Sequence, residues 1–156
     1  MKLHATFALV VAMLASLSVS SAARAAEGSQ WFEDKLADAQ AKAKELKKPL
    51  LIDFTGSDWC GFCIKLDKEV FATAEFAEWA KENVVLLKLD FPARKEQAAE
   101  IKKQNKELQA KYGVRGFPTV LFLDPEGKEL GRIGGYAPGS GAAKWIDRAK
   151  GIVAKQ

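Results

Sequence analysis

A chain of 156 residues, 48% hydrophobic and 28% charged, suits one domain with a proper core. Its 24 basic and 20 acidic residues leave a formal +4, too balanced a surface to support nucleic-acid binding. One histidine and two cysteines exclude a tetrahedral zinc site closed within the chain, and no metal or cofactor is expected.

The first segment reads as targeting rather than fold. Met1-Lys2-Leu3-His4 is a short basic start, and Ala5 to Val19 is an apolar run too short to span a bilayer. Ala23 and Ala25 supply an Ala-x-Ala cleavage pattern, so residues 1–25 are expected to be a secretory signal peptide. The competing reading is an uncleaved membrane anchor, for which the run is short. The expected mature chain, 26–156, is a single domain; losing Lys2 and Arg24 leaves 22 basic against 20 acidic residues, a formal +2. It also loses His4, and with it any imidazole for Cys–His catalysis. Export implies a compartment where disulfides persist.

In the mature part, Ser29 can cap a first helix with Phe32, Leu36, Ala39, Ala43 and Leu46 at helical spacing, ending at Lys47-Lys48-Pro49. Leu50 to Phe54 reads as a strand buried on both faces. Thr55-Gly56-Ser57-Asp58 is a turn, and Cys63, Leu66, Val70 and Phe71 form the inner face of a helix beginning at Cys60. Thr73 caps a short helix. Val84 to Asp90 is a second central strand, and Pro92 opens a long charged helix to about Lys111, with Ile101, Leu108 and Tyr112 inside. Thr119 to Leu123 is a third strand, joined through Asp124-Pro125-Glu126-Gly127 to a hairpin partner at Lys128 to Ile133. Ser140 opens a last helix with Ala143, Ile146, Ala149 and Val153 on one face. Trp31, Trp79 and Trp145 fall on helical faces and read as core. The order implies an α/β fold with a mixed central sheet of about four strands flanked by helices.

The chemistry concentrates in Trp59-Cys60-Gly61-Phe62-Cys63, which holds both cysteines. A Cys-x-x-Cys pair that leaves a strand and opens a helix can cycle between dithiol and disulfide. The alternative is a structural staple, which the spacing explains poorly: so short a loop removes little entropy from the unfolded chain. Asp53 is a carboxylate within an apolar strand, costly unless paired or functional.

Four segments, in order, resemble the thioredoxin superfamily: Ile52-Asp53-Phe54, Trp59-Cys60-Gly61-x-Cys63, Lys88-Leu89-Asp90 and Lys111-Tyr112-Gly113-Val114-Arg115-Gly116-x-Pro118-Thr119. They span about Lys48 to Gly135. Thr55-Gly56-Ser57-Asp58-Trp59-Cys60 is similar to the exported bacterial branch that includes DsbH-like oxidoreductases and the C-terminal domain of DsbD reductases. Phe62 departs from the proline of cytosolic thioredoxins, Phe117 replaces a small or β-branched residue, and the loop from Asp53 to Cys60 is one residue longer. These departures bear on redox potential and partner choice.

The resemblance implies a thioredoxin fold and a thiol:disulfide oxidoreductase. Cys60 is the expected attacking thiol, favoured as thiolate by a helix N-terminus, and Cys63 the more buried resolving thiol. Asp53 is the expected buried acid, its pKa raised by burial, that takes the proton of Cys63; Lys88 is its candidate charge partner or else a solvated strand residue. Pro118 matches the family's cis-proline, with Phe117 offering backbone groups to an extended substrate. Trp59, Gly61 and Phe62 complete the expected substrate surface. Asp58, two residues before Cys60, would disfavour a thiolate if close. With no histidine available to stabilise a thiolate, a reductase is favoured over an oxidase or isomerase. A redox-inactive peptide-binding module, or a structural protein stapled by its disulfide, would be the rivals from other classes. The expected partners are disulfide-containing exported proteins and a membrane electron donor of the DsbD type, for a periplasmic protein acting as a monomer.

Overall fold

The computed structural model describes residues 30–155, so the expected signal peptide lies outside the described residues. In chain order the elements are β1 (Trp31–Glu33), α1 (Leu36–Leu46), β2 (Leu50–Thr55), α2 (Gly61–Leu66) running into a π-helical turn (Asp67–Phe71), α3 (Ala74–Asn83), β3 (Val85–Asp90), α4 (Ala99–Lys111), β4 (Thr119–Leu123), β5 (Glu129–Gly134) and α5 (Gly141–Val153). The sheet order is β1-β3-β2-β4-β5. β1 and β2 run parallel to β3, whereas β4 is antiparallel to β2 and to β5. A parallel half from the βαβ unit is therefore joined to a hairpin half, as the element order implies.

The sheet has five strands rather than about four, because Trp31–Glu33 is a strand and not the start of the first helix. Trp31 pairs with Leu86 and Phe32 with Leu87, which sends the two side chains to opposite faces. Asp34, at φ 55°, then breaks the strand, and the helix starts at Leu36. The other helix boundary that differs is the start of α4, at Ala99 instead of Pro92. The amides of Ala93, Arg94 and Lys95 donate to the Asp58 carboxylate at 2.7–3.1 Å, which favours a side-chain-fastened loop over a helical turn. In α5 the inner face is Ala142, Trp145, Ile146 and Ala149, with Ala143 exposed.

Period-two alternation along β2 decides what each face covers. Leu50, Ile52 and Phe54 pack with Ala39 and Ala43 of α1 and Leu108 of α4. Leu51 points the other way, into a cluster with Leu66, Val70, Phe76, Trp79 and Trp145 from α2, the π turn, α3 and α5. Asp53 and Thr55 share that second face. Aromatic contacts secure the π turn there: Phe71 lies 4.9 Å from Phe76 and 5.4 Å from Trp145, centroid to centroid. Each such pair contributes about 0.5–1.5 kcal/mol beyond burial, enough to hold α2 in one place over the sheet. Glu69 adds a polar tie, accepting from the Tyr136 hydroxyl at 2.6 Å and the Gly139 amide at 2.7 Å. These two bonds hold its carboxyl below the usual range.

Candidate active site

β2 delivers the chain to a loop whose every turn is fastened. Ser57 donates from its amide (2.9 Å) and hydroxyl (2.6 Å) to the two oxygens of Asp90 at the end of β3. The Cys60 amide donates to the Gly56 carbonyl at 2.9 Å. The Trp59 indole packs against Gly56, where an added Cβ would stand 2.5 Å from the ring. Its Nε1–H donates to the Phe91 carbonyl at 2.7 Å. Asp58, a charge that would disfavour a thiolate if close, spends its carboxylate on the three amides of residues 93–95. The Ala93 amide leads the lowering of its pKa, so it stays ionised.

Cys60 and Cys63 form a disulfide, with Cys60 as the N-cap of α2. The Cys63 amide donates to Cys60 Sγ at 3.2 Å, one of the unpaired N–H groups of a helix N-terminus. Both residues are buried, Cys63 at 3% exposure and Cys60 at 6%. Gly61 opens the first turn with empty space above it.

The two ends of this turn meet different surroundings. On the side of Cys60, Trp59 is 47% and Phe62 56% exposed. Trp59 meets Phe117 edge-on at 5.8 Å, Phe117 packs on Phe91 at 5.0 Å, and Phe91 on Phe54 at 6.3 Å. The Phe117–Pro118 peptide bond is cis. The Pro118 carbonyl accepts from the Gly135 amide at 2.8 Å, whereas the Phe117 backbone makes no hydrogen bond to the described residues.

On the side of Cys63, a cavity of about 130 Å³ is lined by Thr55, Ser57, Cys63, Ile64, Asp67 and Lys88. Asp53 sits behind Lys88 in the sheet, paired with it across β2 and β3. It is 3% exposed, and its Oδ1 is buried with no hydrogen-bond partner among the described residues. Burial raises its pKa to about 7, opposed by the Lys88 charge and reinforced by the charges of Asp67 and Asp90. Lys88 acts on Asp53 only through its field. Its direct ion pair is with Asp67, at 3.6 Å, and its ammonium lies 5.3 Å from the Trp31 ring centroid. Sequence reasoning did not single out Asp67. Its place one turn beyond Cys63, at i+4, was the available signal.

A thioredoxin-like domain model matches residues 36–150, most of the chain and every residue of this site. The chain belongs to the thioredoxin-like family. Within it, the chain is 40% identical over 126 residues to the disulfide bond reductase DsbH of Chlamydia pneumoniae, covering 81% of this chain and 74% of that protein. A solved DsbH oxidoreductase superposes with a TM-score of 0.75 at 37% identity, over 85% of this chain and 90% of the other. The thiol:disulfide interchange protein DsbD of Cronobacter sakazakii is 34% identical over 105 residues, which are 66% of this chain but only 16% of DsbD. The thioredoxin-like chain described here is thus a DsbH-like thiol:disulfide oxidoreductase with its cysteine pair closed as a disulfide.

Proposed function

We propose that the protein is a periplasmic disulfide reductase. The observation that carries the direction of electron flow is the lining on the side of Cys63, whose one cation, Lys88, is paired with a carboxylate. That carboxylate, Asp67, lines the cavity beside Cys63, Asp53 is buried next to Lys88 in the sheet, and no histidine follows the expected cleavage site. Strongly oxidising pairs stabilise their reduced thiolate; carboxylates nearby do the opposite and favour giving electrons away.

In the reaction, the Cys60 thiolate attacks one sulfur of a substrate disulfide. A Cys60–substrate bond forms, the substrate S–S bond breaks, and one substrate sulfur leaves as thiolate. Cys63 gives its proton to ionised Asp53, directly or through the cavity, and attacks Cys60 Sγ. The Cys60–Cys63 disulfide closes, the second substrate sulfur departs, and two electrons have passed from protein to substrate. The open Phe117 backbone and the exposed rings of Trp59 and Phe62 suit an extended polypeptide laid across the disulfide. Turnover then requires re-reduction, for which a membrane thiol carrier of the DsbD type is the proposed donor. The apolar run Ala5 to Val19 and the Ala23-x-Ala25 pattern support export, and among the described residues no helix is long and apolar enough to cross a membrane.

The test is the equilibrium redox potential of Cys60–Cys63 in graded dithiothreitol. A value near about −250 mV supports the reductase; one near about −120 mV makes the protein an oxidant and sinks the reading.

A further inference from the structure

We propose that the cleft between Phe91–Pro92 and the outer face of α4 is a specificity subsite that takes an acidic side chain of the disulfide-bearing polypeptide. The inference rests on the oxidoreductase reading and adds a substrate class to it. The cleft is half open, has a volume of about 270 Å³, and is lined by Phe91, Pro92, Gln97, Lys102 and Lys106. Its only charged lining residues are the two lysines. They stand one helical turn apart and both are exposed, so their ammonium groups rise on the same strip of α4. Neither has an ion-pair partner among the described residues, whereas Lys103, on the adjacent strip, pairs with Glu107 at 3.9 Å.

The acidic groups nearby do not neutralise this pair. Glu96 and Glu100 are exposed and lie outside the lining. Asp58 is covered by the amides of Ala93, Arg94 and Lys95. The cleft wall is also fixed in place, because Gln97 Nε2 donates to Asp34 Oδ2 at 3.1 Å and to the Asp90 carbonyl at 3.0 Å.

Continuity with the redox centre gives the cleft its role. Phe91 forms its wall and is also the residue whose carbonyl receives the Trp59 indole and whose ring packs on Phe117. Trp59 precedes Cys60 and Phe117 precedes Pro118, so a chain lying across the disulfide runs beside the cleft. A Glu or Asp side chain reaching over Phe91 meets an apolar wall for its stem and two unpaired cations for its carboxylate.

The test uses two cyclic cystine peptides, identical except that the residues flanking the disulfide are Glu in one and Lys in the other. The second-order rate constant for oxidation of the reduced protein by each is measured. The wild type should prefer the Glu peptide by about five-fold at low ionic strength, fading toward parity in about 0.5 M salt. Lys102→Gln/Lys106→Gln should bring the two rates together, and Lys102→Glu/Lys106→Glu should reverse the preference. Equal rates with the wild type, or a preference that survives in both double variants with folding checked by circular dichroism, would overturn the subsite alone. No reaction of the wild type with either peptide or with hydroxyethyl disulfide would overturn the subsite together with the oxidoreductase reading.

Discussion

The two sulfurs of one disulfide sit in opposite kinds of surroundings. Toward Cys60 the surface is aromatic, exposed and open at the Phe117 backbone; toward Cys63 it is a small cavity holding the Asp67–Lys88 pair, with Asp53 buried beside Lys88 in the sheet. The sequence separation is only three residues, so a single helical turn converts one environment into the other. The proposed reaction in two steps needs this: its first sulfur must meet a large partner, and its second must lose a proton without meeting one.

Substitutions on either side should separate the two steps. The largest effects come from the sulfurs themselves. Cys60→Ser should abolish reduction of any disulfide, whereas Cys63→Ala should still attack and then stop. The stalled variant is expected as a covalent mixed disulfide on a non-reducing gel, and its absence would contradict the assigned order of attack.

Next is Asp53→Asn, which should slow turnover by about 10²-fold and remove the inflection near pH 7 from the rate profile. The same change should stabilise the oxidised fold. The native carboxyl keeps its proton up to about pH 7, while the unfolded one releases it near 3.8. The native state therefore binds more protons between those values, and wild-type stability falls as pH rises through them. Urea unfolding of the oxidised variant should show a gain of roughly 2–4 kcal/mol at pH 8 and almost none below pH 4. Equal stability of the two proteins at pH 8 would mean the buried acid carries no such penalty.

On the aromatic side, Trp59→Ala should raise KM for a protein substrate by about five- to ten-fold with kcat little changed, since a half-exposed anchor contributes to docking and not to proton transfer. The smallest effects are expected from the pair in front of Asp53, and they have opposite signs. Lys88→Met removes the attraction that lowers the Asp53 pKa, so the midpoint of the rate profile should move up. Asp67→Asn removes a repulsion and should move it down. Shifts in the same direction would show that the two charges do not act through Asp53.

Most of this arrangement was legible in the sequence where the signal was local. The apolar runs at Leu50–Thr55, Val85–Asp90 and Thr119–Leu123 are central strands. Thr73 caps α3, accepting from the Phe76 amide at 3.2 Å. The burial of Asp53 followed from its neighbours. What escaped depends on partners far along the chain. Trp31–Glu33 is too short to show a period, and only β3, more than fifty residues away, makes it a strand. The strand ends at Asp34, whose carboxylate accepts from the Asp90 amide and from Asn105, a fully buried polar residue on α4. The loop that Asp58 fastens read as the start of a helix because its three amide partners lie 35–37 residues after Asp58. Side-chain-to-backbone bonds of that kind leave no pattern in composition or spacing.

The brevity of β1 has a consequence for the edge of the sheet that it closes. It covers the outer edge of β3, yet offers only three residues of backbone to a neighbouring chain, too few to template an added strand. Asp34 then turns the backbone away, tied down by Asn105 and Gln97. The edge that β1 closes is thereby blunted against pairing with another chain, which leaves the six residues of β5, beside β4, as the longer of the two edges the sheet presents.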